Sequence, residues 1–124
     1  MKIDVPVGEV VDKITILMIK ERKFPDGPKR ENVRRELAAL RAGWSASGLD
    51  WPTAEADALS EINGALWDVE DELRRHEARG DFGADFVARA RSVYRINDRR
   101  AEVKRTINAL TGSELVEEKD YVAY

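Results

Sequence analysis

The stretch of the chain that decides the fold reads Arg91-Ser-Val-Tyr-Arg-Ile-Asn-Asp-Arg-Arg-Ala-Glu-Val-Lys-Arg-Thr-Ile-Asn-Ala-Leu-Thr-Gly112. With the residues just before it, it carries an apolar stripe at steps of three and four: Phe86, Ala90, Val93, Ile96, Val103, Ile107 and Leu110. This spacing predicts an amphipathic helix that buries the stripe in a core. One charged residue, Arg100, lies in the middle of the stripe.

A polar stripe borders the apolar one, about a quarter turn round the helix. It consists of Tyr94, Asn97, Lys104 and Asn108. A helix face that is merely solvated has no need for a tyrosine, two amides and a lysine beside its core. We therefore expect any functional site to lie along this border, although no residue there indicates a particular reaction.

Composition narrows the class of protein. A chain of 124 residues is predicted to form one domain, residues 1–124. Its net charge of −3 argues against a general nucleic-acid binder, which is usually basic. The chain has no cysteine and a single histidine, His76, so disulfides, thiolate zinc and cysteine nucleophiles are excluded. We predict no metal site and no cofactor.

The N-terminal region resembles neither a targeting signal nor a membrane span. The apolar run Ile14–Ile19 is far shorter than the roughly 18 residues that a span needs. No small-residue cleavage pattern follows it. We therefore expect a cytoplasmic protein.

From Val7 to Phe24 the apolar residues cover nearly the whole circumference of a helix, so this segment should be buried on most sides. A strand is the competing prediction because Val and Ile are frequent, but length and the absence of a turn residue favour helix. Two readings of Asp12 stay open. Asp12 and Lys13 share one exposed edge, or Asp12 meets Arg100.

The residues Pro25-Asp-Gly-Pro28 predict a break followed by a second helix, with Asp26 as its cap. Its basic residues, which we expect to be solvated unless they meet an anionic partner, are Lys29, Arg30, Arg34, Arg35 and Arg41. Residues 43–52 are predicted to be irregular. Trp44 and Trp51 within them either pin this loop to the core or form an interaction patch.

A third helix is predicted from a cap at Thr53 to about Arg79. Its apolar stripe is Leu59, Ile62, Leu66, Val69 and Leu73, continued by His76, and its polar flank is Asn63, Trp67, Glu70, Arg74 and Glu77. The short link Gly80–Gly83 makes the third and fourth helices antiparallel neighbours. Their polar flanks then lie on the same side of the pair, with Arg100 near Asn63.

Charge is expected to support this pairing. Residues 53–79 hold eight acids and three bases, whereas residues 84–110 hold seven bases and three acids. After Gly112, a predicted helix stop, the tail carries apolar residues that should pack on the bundle or on a second subunit. The predicted fold is all-α: an antiparallel bundle of about four helices, with two long C-terminal helices and a short ordered tail.

The first candidate site is a polar seam shared by the two long helices, consisting of Asn63, Trp67, Glu70, Arg74, Tyr94, Asn97, Arg100 and Lys104. Arginine, lysine and amide donors beside an aromatic wall suit a small anion, such as a carboxylate or a sugar phosphate. The alternative is a structural network that fixes helix register, with Arg100 neutralised by an acid.

Two further candidates are weaker. Carboxylates from two helices can hold Mg²⁺ against a diphosphate, as in all-α pyrophosphohydrolases of the MazG type. The acids concerned, which should face away from the apolar stripes, are Asp68, Asp71, Glu72, Asp98 and Glu102. His76 is either a partly buried or capping histidine, or a catalytic base.

The chain resembles a small bacterial family of unknown function whose members are labelled hypothetical cytosolic proteins. The resemblance spans almost the whole chain and rests on residues 6–17, 66–71, 93–100 with Lys104, Ile107 and Asn108, and 117–121. It implies no reaction and assigns no catalytic residue. It implies an association with envelope-polysaccharide metabolism. The family pattern mostly has serine where this chain has Asp120.

These observations lead to three functional hypotheses. The first is a non-catalytic accessory or binding module, acting on a partner protein, a second copy of the chain or a small anionic ligand. The second is a small enzyme that uses the polar seam on a phosphorylated or carboxylated metabolite. The third is an Mg²⁺-dependent nucleotide pyrophosphohydrolase.

Overall fold

The computed structural model describes all 124 residues and contains four helices. They are α1 (Val7–Lys23), α2 (Pro28–Ser47), α3 (Thr53–Arg79) and α4 (Ala84–Thr111). No residue is in a strand. The prediction of an all-α bundle with two long C-terminal helices is confirmed, and the first apolar segment is a helix rather than the competing strand.

The centre of the bundle is α1, since it alone packs against all three other helices. The all-round apolar character of α1 lets it bury several faces at once, whereas α4 has one apolar stripe. α4 runs antiparallel to α1, because Gly8 at the start of α1 contacts Asn108 at the end of α4.

Two buried clusters form the core along α1. One consists of Val11, Ala56, Leu59 and Ile107, and the other of Ile14, Leu17, Val33 and Leu37. Leu110, the last member of the predicted stripe of α4, is 63% exposed. It is the penultimate residue of α4, at the end of the bundle where α1 begins.

Several helix ends differ from the predictions. α2 continues through Gly43 to Ser47, so only residues 48–52 are irregular between α2 and α3. Thr53 is the first residue of α3 and makes no capping hydrogen bond. Asp26 does not cap α2 but accepts a hydrogen bond from Arg30 at 2.7 Å. Gly112 ends α4 in the left-handed conformation, as predicted.

Gly8 allows α1 and α4 to approach each other closely. A Cβ atom at this position would lie 2.5 Å from the backbone oxygen of Lys104. The backbone N–H of Gly8 donates to Oδ1 of Asn108 at 2.7 Å. Asn108, which borders the apolar stripe of α4, thus helps α1 and α4 to pack where α1 begins.

Residues 113–124 have no helix or strand but contact the bundle. Glu117 accepts a hydrogen bond from Lys104 at 2.8 Å, and the ring of Tyr124 lies 4.8 Å from that of Tyr94. The tail therefore returns along α4. None of the four helices combines the length and apolar character needed to cross a membrane.

Candidate functional site

A buried polar network joins α1, α3 and α4 beside the core. Nε of Arg100 donates to Oδ1 and Oδ2 of Asp12, at 3.0 and 3.2 Å. The side-chain amide of Asn63 donates to Oδ1 of Asp12 at 2.9 Å and to Oγ1 of Thr15 at 3.0 Å. Asp12 is 0% exposed. A buried carboxylate needs such partners, because its desolvation costs several kcal/mol.

This network settles the two readings of Asp12. Its carboxylate meets Arg100, whereas Lys13 is exposed and pairs with Glu36 at 2.7 Å. The hydrogen bonds to Asp12 raise the pKa of Arg100 above its usual value. Arg100 is therefore a permanent cation whose charge is already balanced by an acid of α1.

An open cleft of about 440 Å³ lies next to this network, between α1, α3 and α4. Six of the eight residues of the predicted polar seam line it: Asn63, Trp67, Glu70, Arg74, Asn97 and Arg100. Ile16, Ile19 and Leu66 form its apolar wall, and Asp71 completes the lining. Asn97 and Arg100 of α4 thus share a cleft with Trp67 and Asn63 of α3, as the antiparallel pairing predicts.

Three polar groups of the cleft have no partner within the chain. Nη1 of Arg100 makes no hydrogen bond, since Asp12 takes only Nε and Nη2. The amide of Asn97 and the carboxylate of Asp71, which both line the cleft, make none either. These groups offer two kinds of donor, the guanidinium and the amide N–H, and two kinds of acceptor, the amide oxygen and the carboxylate.

Arg74, Glu70 and the ring of Trp67 already have partners within the chain. Arg74 donates to Oε2 of Glu70 at 3.1 Å, within α3. The ring of Trp67 packs against Phe24 at 6.2 Å between centroids and has Nζ of Lys23 at 5.9 Å from its own centroid. The expected aromatic wall therefore exists, but its ring already has two partners.

Lys104 and Tyr94 belong to the predicted seam but do not line the cleft. Nζ of Lys104 lies 2.6 Å from Glu9 and 2.8 Å from Glu117. Burial alone would lower the pKa of Lys104, but the hydrogen bonds to Glu117 and Glu9 outweigh it and raise the pKa. Tyr94 lies under Tyr124 of the tail. Both seam residues thus contact the C-terminal segment, although Tyr94 remains 41% exposed.

The opposite charges of α3 and α4 do not pair as we expected. Arg100 and Lys104 of α4 bind acids of α1, and Arg74 and Arg75 of α3 bind Glu70 and Glu72 of their own helix. A helix offers an acid at three or four positions' distance, so local pairing satisfies these arginines without the neighbouring helix. Apart from the contact of His76 with Asp85 beside the turn, the register of the two long helices therefore does not rest on charge pairs between them.

The two weaker candidates take structural positions. His76 is 2% exposed, with Nδ1 3.1 Å from the backbone oxygen of Asp81 and Nε2 3.1 Å from Oδ2 of Asp85. It closes the turn between α3 and α4. No three of the chain's histidine, aspartate and glutamate side chains are grouped so as to hold a metal ion. Asp98 instead accepts a hydrogen bond from Tyr124.

Apart from the open reading that Asp12 meets Arg100, sequence reasoning missed the contribution of α1 to the site. Ile16 and Ile19 line the cleft, and Glu9 pairs with Lys104. A signal was present. Glu9 and Asp12 are three residues apart, and Arg100 and Lys104 are four apart, which matches acids and bases across two antiparallel helices. Asp71, assigned to the solvated acidic face, also lines the cleft.

Comparison with known proteins gives one match. The profile of a family described as "Family of unknown function (DUF6165)" matches residues 1–124. No curated protein and no solved structure matches the chain.

Proposed function

The chain belongs to DUF6165, a family of unknown function, and from that premise we propose that it is a non-catalytic binding module for a small hydroxylated carboxylate. The ligand would occupy the cleft between α1, α3 and α4. The observation that carries the proposal is the free Nη1 of Arg100 at the wall of this cleft. A guanidinium held in place by Asp12 is preorganised to donate to a carboxylate.

The charged side chains of the cleft argue against a ligand with more than one negative charge. Two arginines line the cleft, and three acids balance them: Asp12 beneath Arg100, Glu70 beside Arg74, and the unpaired Asp71. A dianionic sugar phosphate would meet the carboxylate of Asp71, and both cations that line the cleft are already paired with an acid. A monocarboxylate that also carries hydroxyl groups can donate to Asp71 and accept from Asn97.

A thermal-shift screen followed by calorimetry tests the proposal. Sugar acids should raise the melting temperature more than the corresponding neutral sugars and sugar phosphates. At 100 times Kd, the stabilisation would be roughly 2.7 kcal/mol. A stronger response to the sugar phosphates would contradict the charge argument, and no response to any of the three classes would contradict the proposed function.

Asn97→Ala is the variant of choice, because the Asn97 amide makes no hydrogen bond in the free protein. Its loss should weaken ligand binding and leave the melting temperature of the free protein unchanged. Asn32→Ala is the matched control, since Asn32 is exposed on α2 and remote from the cleft. Arg100 is unsuited to this test, because its replacement strands the buried carboxylate of Asp12.

The enzyme hypothesis places a reaction in the same cleft, and the same ligands distinguish it from the binding-module proposal. Asp71 is its only carboxylate without an ion-pair partner, so it would act as the acid or base. Turnover of a bound sugar acid, abolished by Asp71→Asn with binding retained, would replace the binding-module proposal. The proposal keeps the cytoplasm as location and envelope-polysaccharide metabolism as setting, as the resemblance implied.

A protein partner, including a second copy of the chain, is the second candidate. Exposed apolar side chains collect at the end of the bundle where α1 begins and α4 ends: Met1, Ile3, Val5, Trp51, Leu110, Leu115 and Val116. Light scattering after size exclusion tests for a dimer. Leu110→Glu should shift a dimer to monomer, whereas Val87→Glu, at the other end of α4, should not.

A further inference from the structure

A second cleft, of about 400 Å³, lies between α1, α2 and α3. Ile14, Met18 and Ala56 form its apolar floor, and Trp44 and Trp51 stand at one side. The two indole rings meet edge to face, with centroids 5.1 Å apart and planes at 84°. Together they form a right-angled aromatic corner that is open to solvent, since Trp51 is 38% exposed.

The polar groups of this cleft lack partners within the chain. Arg41 lies on the α2 side and Asp57 on the α3 side, and neither forms an ion pair with the other or with any third residue. The hydroxyl groups of Ser45 and Ser60, on the same two walls, make no hydrogen bond with the protein. The cleft therefore presents a cation and an anion across a gap, above an apolar floor.

Thr15, on the wall contributed by α1, is held by two hydrogen bonds. Oγ1 of Thr15 donates to the backbone oxygen of Asp12 at 2.7 Å and accepts from Asn63 at 3.0 Å. Thr15 lines this second cleft and Asn63 lines the first. The buried network thus supports one wall of each cleft, and no residue lines both clefts.

We infer that the second cleft binds a zwitterion with an apolar ring, the chemistry of a free aromatic amino acid. Arg41 would donate to the carboxylate in a charge-assisted pair, and Asp57 would accept from the ammonium group. The ring would lie in the corner of Trp44 and Trp51, where offset and edge-to-face contacts are favourable. Separated opposite charges suit a zwitterion, because a ligand with only one charge leaves one of the two groups unanswered.

Calorimetry with four probes tests this inference: L-tryptophan, L-phenylalanine, tryptamine and indole-3-propionate. Tryptamine lacks the carboxylate and indole-3-propionate lacks the ammonium group. Both amino acids should bind, and each truncated probe should bind about tenfold more weakly than L-tryptophan. Equal affinity for tryptamine or indole-3-propionate would overturn the zwitterion assignment. No saturable binding of either amino acid at millimolar concentration would overturn the site.

Two charge-neutralising variants locate the binding. Arg41→Gln and Asp57→Asn should each weaken L-phenylalanine binding about tenfold, while both fold normally because the two side chains are exposed. Arg35→Gln and Asp50→Asn are matched controls, exposed but outside the cleft, and should bind as the wild type does. Unchanged affinity in both cleft variants would place the amino acid elsewhere and refute the inference.

Discussion

Arg100 of α4 and Asp12 of α1 form a double hydrogen-bonded ion pair, in which Asp12 is completely buried and Arg100 keeps 27% of its side chain exposed. The two partners are therefore unequal. A stranded Arg100 can turn its guanidinium toward water along the open cleft. A stranded Asp12 has no route to solvent.

This inequality predicts the cost of breaking the pair. Arg100→Met should lower the free energy of unfolding at neutral pH by about 3–5 kcal/mol, because it leaves a buried carboxylate without its counter-ion. Asp12→Asn should cost less. Chemical denaturation measures both. Lys13→Met, which breaks the exposed pair with Glu36, is the control and should stay within about 0.5 kcal/mol of wild type. Equal losses for Arg100→Met and Lys13→Met would contradict this account.

Close packing at Gly8 predicts a second effect. Gly8→Ala should lower the free energy of unfolding by about 1–3 kcal/mol, because the added Cβ would lie 2.5 Å from a backbone oxygen of α4 that cannot rotate away. Gly43→Ala is the matched control within a helix, since nothing lies within 4 Å of its added Cβ. That variant should gain about 0.5–1 kcal/mol. A stable Gly8→Ala protein would show that α1 and α4 are further apart than described.

The stripe of α4 predicts a contrast between two of its own residues. Ile107 is 0% exposed and belongs to the cluster with Val11 and Leu59, so Ile107→Ala should cost about 2–5 kcal/mol. Leu110, three residues further along the same helix, is 63% exposed. Leu110→Ala should change the free energy of unfolding by less than about 0.5 kcal/mol. Similar losses at the two positions would place Leu110 in a buried interface, such as a dimer contact.

Docking of the tail should depend on pH. Hydrogen bonding to Lys104 lowers the pKa of Glu117. The interaction is therefore complete above the ordinary pKa of a glutamate and is lost as the pH falls through the lowered value. At the alkaline side it is lost only as the pH rises through the raised pKa of Lys104.

An NMR titration measures this directly. The side-chain carboxyl signal of Glu117 should titrate below the ordinary pKa of a glutamate. Signals of Tyr94 and Tyr124 should change over the same acidic range if the tail leaves as a unit. In Glu117→Gln, that acidic transition of the tyrosine signals should disappear. Titration of Glu117 at the ordinary pKa of a glutamate would show that the tail is not docked on Lys104.

Sequence patterns sufficed for the helices and for part of the site. The steps of three and four from Phe86 to Ile107 and from Leu59 to Leu73 specify two amphipathic helices, and the short Gly80–Gly83 link makes them antiparallel. From those two facts alone, Asn97 and Trp67 could be assigned to one groove. Helical periodicity is a local property, so it survives without knowledge of the rest of the chain.

The partners of Arg100 and Lys104 are a different matter. Asp12 and Glu9, which pair with them, lie about ninety residues earlier in the chain. Both belong to α1, a helix whose apolar residues point in nearly all directions. A helix without a single apolar face does not reveal which neighbour each side will meet. The surface on which the tail packs was undetermined as well, because its composition indicated that it packs but not against which element.

The sequence by itself determined the number, length and polarity of the helices and the antiparallel pairing of the last two, because these follow from spacing along one segment. Only the tertiary structure decided that α1 occupies the centre, that Asp12 neutralises Arg100 and that the tail covers Lys104. Those contacts depend on how the four helices pack together in one core. The choice among them is made by the total burial and by the need to give every buried charge a partner.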